Sequence, residues 1–176
     1  MQSAFKVGDK AVHPAHGVGE VTGIENREIA GSKGTFYVVK IIETGMKVMV
    51  PTTAAEVVGL RTVMSKRDAE GVIAVFKIRE KAVGGGPWNR RQRAYNEMIK
   101  SGSPTEVAKV LRDLYAIKFR NEKDLSYGER RLMDQAKSLL VKELALAKKT
   151  NEAAVEKEIE ACFGAPIVPT QAASMR

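Results

Sequence analysis

Near Ser65 the hydrophobic pattern changes period, and one kind of secondary structure cannot accommodate both halves of the chain. Before this point short runs rich in Val, Ile, Thr, Phe and Tyr are cut by Gly and Pro. They cover Lys10 to His13, Gly17 to Glu25, Thr35 to Glu43 and Lys47 to Val50, with turn signals at Pro14, at Gly31 to Gly34 and at Gly45. Runs of this kind predict a small antiparallel barrel. Strand alternation puts Phe36, Val38 and Lys40 on one face and Tyr37, Val39 and Ile41 on the other, so both faces are largely covered. The second face serves a core or a partner.

After Ser65 the period is helical. Ser65 and Asp68 start a segment to about Lys81, with Val72, Val75, Phe76 and Arg79 on one stripe. The glycines Gly84 to Gly86 break it as a hinge; they lack the Lys-Ser/Thr of a phosphate loop and follow a helix instead of a strand. Pro87 at the first helical position opens a helix from Trp88 to Lys100, stopped by Gly102. Ser103, Pro104 and Glu106 read as a capping box, followed by Val107, Val110, Leu111 and Leu114 at helical spacing. A second box, Ser126 with Glu129, starts a long amphipathic helix to about Lys149, whose Leu132, Ala136, Leu139, Leu140, Leu144 and Ala147 follow at helical spacing, with the stripe from Leu132 to Leu144 read as core. A last helix spans about Asn151 to Phe163. Residues 165–176 have no periodicity and read as a loose tail. The expected organisation is α+β: residues 1–65 as the barrel, 66–164 as a compact all-α domain of about five helices, and the tail.

Length and composition agree with this. A chain of 176 residues holds one medium domain or two small ones, and 44% hydrophobic with 28% charged residues is globular, neither fibrous nor disordered. No apolar run approaches the roughly 20 residues of a membrane span, and Met1 to Lys10 has no signal-peptide core. The single cysteine, Cys162, cannot form an internal disulfide and reads as a helix end docking on a core. A reducing, cytoplasmic setting is therefore expected. His13 and His16, in a turn around Pro14, do not supply the ligands of a closed zinc site.

The formal net charge is +8, which draws polyanions. The excess concentrates between Lys77 and Lys100, where seven basic residues face Glu80 and Glu97 alone. The only tryptophan, Trp88, lies in this stretch at a helix start, followed by Asn89, Arg90, Arg91 and Arg93. Arginine forks and helix N-terminal amides bind phosphates, and a flat apolar side chain among them wedges against bases in the minor groove. The bland alternative is a core tryptophan with a solvated arginine face. Arginine at the positive end of a helix opposes the dipole, which favours an anionic ligand as the reason for it. Spacing shows no paired carboxylates and no Ser/His/carboxylate arrangement, so no catalytic constellation is read and no cofactor is expected.

A series of motifs resembles the CarD/CdnL family of bacterial transcription regulators, closest to the CdnL type. They are Phe5-Lys6-Val7-Gly8-Asp9-Lys10-Ala11-Val12, Gly17-Val18-Gly19, Tyr37-Val38-Val39-Lys40, Met46 to Pro51 and Val58-Gly59-Leu60-Arg61. Trp88-Asn89-Arg90-Arg91, Leu111-Arg112-Asp113-Leu114-Tyr115, Leu125-Ser126-Tyr127-Gly128-Glu129-Arg130 and Leu139-Leu140-Val141-Lys142-Glu143-Leu144 continue the series. The likeness runs over about residues 3–163. His13 and Gln92 depart from it, where the family usually carries aromatics.

The resemblance implies a Tudor-like, SH3-like N-terminal barrel that grips the β subunit of RNA polymerase, through Arg27, Val39, Met49 and Pro51 on exposed strands. It implies helices that touch promoter DNA at the upstream edge of the bubble, with Trp88 as wedge and Asn89, Arg90, Arg91 and Arg93 around it. The expected role is a non-enzymatic regulator that stabilises open complexes of the housekeeping holoenzyme, nucleoid-associated through the polymerase and monomeric. Two other readings compete with it: an adaptor whose barrel binds a partner strand while the helices only scaffold, and a hydrolase or nuclease whose carboxylates come together from distant positions.

Overall fold

The computed structural model describes residues 5–78, 86–120 and 125–163, and the chain divides into two compact units between Met64 and Ser65. The first unit contains β1 (Lys10–His13), β2 (Gly17–Ile29), β3 (Ser32–Ile41), β4 (Lys47–Pro51), the short α1 (Ala55–Val58) and β5 (Arg61–Thr62). These strands form one antiparallel sheet in the order β4-β3-β2-β1-β5. Its core gathers Phe5, Ala11, Val21, Tyr37, Val39, Ile41, Val50, Ala55 and Leu60. Phe5 meets Tyr37 edge to face at 5.5 Å, and its N–H donates to the Tyr37 hydroxyl at 3.3 Å. This is the small β unit that the first half of the sequence predicts, and it is followed by the expected helices.

β2 and β3 run further than their hydrophobic pattern shows. Ile29 pairs with Ser32, so the loop is only Ala30 and Gly31, and residues 32–34, expected in the turn, belong to the strand. The hairpin end is exposed on both faces, so burial imposes no alternation there. Ala30 and Gly31 both have positive φ, 52° and 81°, as a two-residue turn matched to strand twist requires. At the opposite end of the β2–β3 ladder the packing is closer: a Cβ at Gly19 of β2 would lie 2.5 Å from Val39 Cγ1 of β3, so only glycine allows these two strands to approach there.

The second unit contains α2 (Lys66–Val75), α3 (Trp88–Lys100), α4 (Pro104–Arg120), α5 (Tyr127–Ala147) and α6 (Glu152–Ala161). The Ser65 hydroxyl accepts the Asp68 N–H at 3.1 Å, as its spacing predicts. α2 ends at Val75, short of the expected Lys81; Val72, Val75 and Phe76 are buried, while Arg79, Lys81, Gly84 and Gly85 lie outside the described residues. Pro87 caps α3 instead of being its first residue. The Ser103 box is one-sided. Ser103 Oγ accepts the Glu106 N–H at 3.4 Å, but the Ser103 N–H donates to Ser101 Oγ and Glu106 pairs with Lys109. The Ser126 box of α5 is complete in both directions. The tail expected after Gly164 lies outside the described residues.

α4 packs against α2, α3 and α5, and α6 against α5, burying Leu111, Leu114, Tyr115, Leu132, Leu140, Leu144 and Ile159. Buried polar groups tie three helices together: Arg112 donates to the Val75 carbonyl and lies 3.7 Å from Asp113, which accepts the Tyr95 hydroxyl at 3.3 Å. Beside Cys162, the Phe163 ring stacks on Tyr115 at 5.4 Å and on Phe119 at 6.1 Å, the docked helix end that the sequence suggests. Among the described residues no helix is long and apolar enough to cross a membrane.

Candidate functional site

The start of α3 brings together most of the residues the sequence singles out. Trp88 is its first residue and is half-buried; Asn89, Arg90 and Arg93 are exposed. The indole rests on Gly128 near the start of α5, where a Cβ would come within 2.8 Å of Trp88 Cζ2. The residues on either side of Gly128 were not read from the sequence as part of this face. Tyr127 is 78% exposed beside Gly128, and Glu129, read only as a helix cap, reaches across to α3.

Arg91 differs from its neighbours. It lies one turn after Trp88 with its guanidinium 5.2 Å from the ring centroid, and one of its terminal N–H groups donates to Glu129 Oε1 at 3.2 Å. Both side chains of this pair are largely shielded, 19% and 12% exposed. The other Glu129 oxygen, Oε2, accepts the Ser126 N–H at 2.9 Å. Burial raises the Glu129 carboxyl, but the Ser126 and Arg91 hydrogen bonds outweigh it and hold the group below its ordinary value. One turn further, burial and the Asp113 carboxylate push the Tyr95 hydroxyl up to about 12, with Arg91 opposing them. A separation of 38 residues hides the Arg91–Glu129 pair from any local sequence pattern.

The residues expected on the sheet surface share a face, with one correction. Cross-strand pairs place Phe36 beside Glu25 and Pro51, and Val38 beside Gly23 and Met49. Arg27, two residues beyond Glu25 and bonded to it at 3.3 Å, continues this face and is exposed; Met49 and Pro51 are half-buried. Val39 does not belong there. It pairs with Val21 and Val48, is 0% exposed and lies in the core, because strand alternation turns it away from the side Met49 and Pro51 occupy. Val38 takes its place on that side, with 7% of its surface left open.

No three His, Cys, Asp or Glu side chains among the described residues are arranged to hold a metal ion. The His13 and His16 rings lie 4.8 Å apart, and His13 Nδ1 accepts the Ala15 N–H at 3.0 Å. Burial, then His16, lowers the His13 pKa from its ordinary value.

An antiparallel sheet with a partly apolar outer face, followed by helices with an aromatic and cationic helix start, defines a two-module binding protein. Comparison with known proteins makes this specific. Residues 5–64 match the CarD-like/TRCF RID domain and residues 71–160 the CarD C-terminal domain. YdeB of Bacillus subtilis (strain 168), provisionally named a transcription factor, is 31% identical over 148 residues, 84% of this chain and 95% of its own. CdnLNt from Myxococcus xanthus, a solved structure, is 54% identical over 37% of this chain and 92% of its own, with a TM-score of 0.31. The chain belongs to the CarD family, whose members are non-enzymatic transcription regulators that interact with RNA polymerase.

Proposed function

We propose that this protein docks on the β subunit of RNA polymerase through the outer face of its sheet, using Arg27, Met49 and Pro51. Acting as a monomer, it contacts promoter DNA at the upstream edge of the bubble through the start of α3 and stabilises the open complex of the housekeeping holoenzyme. One observation carries this reading: a half-exposed indole opens a helix whose first turn has no acidic residue and whose Asn89, Arg90 and Arg93 face solvent. Such a helix end favours an anion, and the flat ring beside it suits a kinked or unwound base step.

The mechanism is a population shift. A protein held on the polymerase meets adjacent DNA at high effective concentration, so weak intrinsic DNA affinity suffices. If Trp88 gains contacts only with opened DNA, about 1.4 kcal/mol of differential interaction shifts the closed–open equilibrium tenfold. The test follows promoter opening in real time with a fluorescent bubble reporter and purified housekeeping holoenzyme. Wild type is expected to slow bubble collapse, and Trp88→Ala and Met49→Asp each to abolish that effect. A wild type that leaves collapse unchanged removes the reading.

A further inference from the structure

The three arginines of the Trp88 face are not equivalent, and the residue that separates them is on another helix. We propose that Glu129 is a positioning residue for this face: through Arg91 it fixes how the Trp88 ring is presented and keeps one guanidinium from phosphate. The proposal rests on the DNA reading above for its phosphate part and on geometry alone for the ring.

The geometry has three parts. First, the capping box immobilises Glu129: Oε2 is held by the Ser126 N–H at 2.9 Å, which leaves Oε1 directed at Arg91. Second, Arg91 is held between this carboxylate at 3.2 Å and the indole at 5.2 Å, while Arg90 and Arg93 are exposed. Third, the indole has no slack toward α5, because it already rests against Gly128. A cap that stabilises α5 thus also clamps the first turn of α3. A guanidinium paired with a shielded carboxylate must give up that partner before it can neutralise a phosphate, so the resting face offers two arginines.

Trp88 is the only tryptophan, so its emission reports the clamp directly. The experiment uses the full chain as wild type, Glu129→Gln, Arg91→Gln, the double variant and Ser126→Ala. Glutamine preserves a capping residue at 129 but removes the charge; Ser126→Ala weakens the cap and leaves the Arg91 pair in place. Iodide quenching and the emission maximum are recorded without DNA. Both single glutamine variants are expected to red-shift Trp88 and make it more accessible to iodide, the double variant to go no further, and Ser126→Ala to lower Tm without moving the emission. Emission unchanged in Glu129→Gln, or moved equally by Ser126→Ala, overturns the positioning role.

Binding to a fluorescein-labelled duplex with an unpaired central segment is then measured against salt. Release of Arg91 adds one phosphate contact, so Glu129→Gln is expected to steepen the plot of log affinity against log salt by about 0.9, and Arg91→Gln on top of it to restore the wild-type slope. An unchanged slope overturns the phosphate part. No salt-dependent binding by wild type removes the DNA reading, and with it the phosphate part, while the emission result still decides the hold on the ring.

Discussion

Replacing Val39 by alanine removes two methyl groups from the centre of the sheet core, where the side chain is wholly buried. The expected cost is on the order of 2 kcal/mol, read as a lower thermal transition in calorimetry. Met49→Asp places a charge on the half-buried outer face and is expected to leave that transition nearly unchanged while abolishing capture of the isolated polymerase β subunit. Loss of β binding by Val39→Ala at a temperature where its sheet remains folded runs against the assignment of residue 39 to the core. The sequence separates the two faces of β3 correctly, yet alternation alone does not say which face is inward. That depends on β4, whose register sets Val48 against Val39 and Met49 against Val38. Trp88 was legible for the opposite reason: one aromatic among arginines at a helix start stands out without tertiary information.

Among the elements, α5 shows how a local signal conceals a distant one. Its Ser126–Glu129 box is plain in four consecutive residues, and the helix starts where the box places it. The same carboxylate also anchors Arg91, and this gives it a pH signature. Because the folded-state pKa of Glu129 is lowered, its contribution to stability is complete above the unfolded carboxylate pKa and is lost as pH falls through the folded value. Denaturant midpoints followed down from about pH 5 are expected to fall more steeply for wild type than for Glu129→Gln, which has no carboxylate to protonate there. Equal slopes would mean that the carboxylate is not stabilised in the folded chain. Helix starts were more legible than strand ends, since caps act within one turn whereas the β2–β3 hairpin runs on beyond its buried pairs.

At the scale of the whole molecule, the proposed mechanism gives the two modules different tasks, and concentration distinguishes them. In that mechanism the sheet supplies local concentration and the α3 face the preference for opened DNA. A roughly hundredfold excess of Met49→Asp is therefore expected to restore slow bubble collapse, whereas the same excess of Trp88→Ala is not. Rescue of both variants, or of neither, in the bubble-reporter assay would show that the two faces do not divide the work in this way.

The stack formed by Phe163 with Tyr115 and Phe119 also governs how the chain can be engineered. A truncation ahead of residue 163 strips the cover from two aromatic rings of α4 and gives the shortened product a sticky surface.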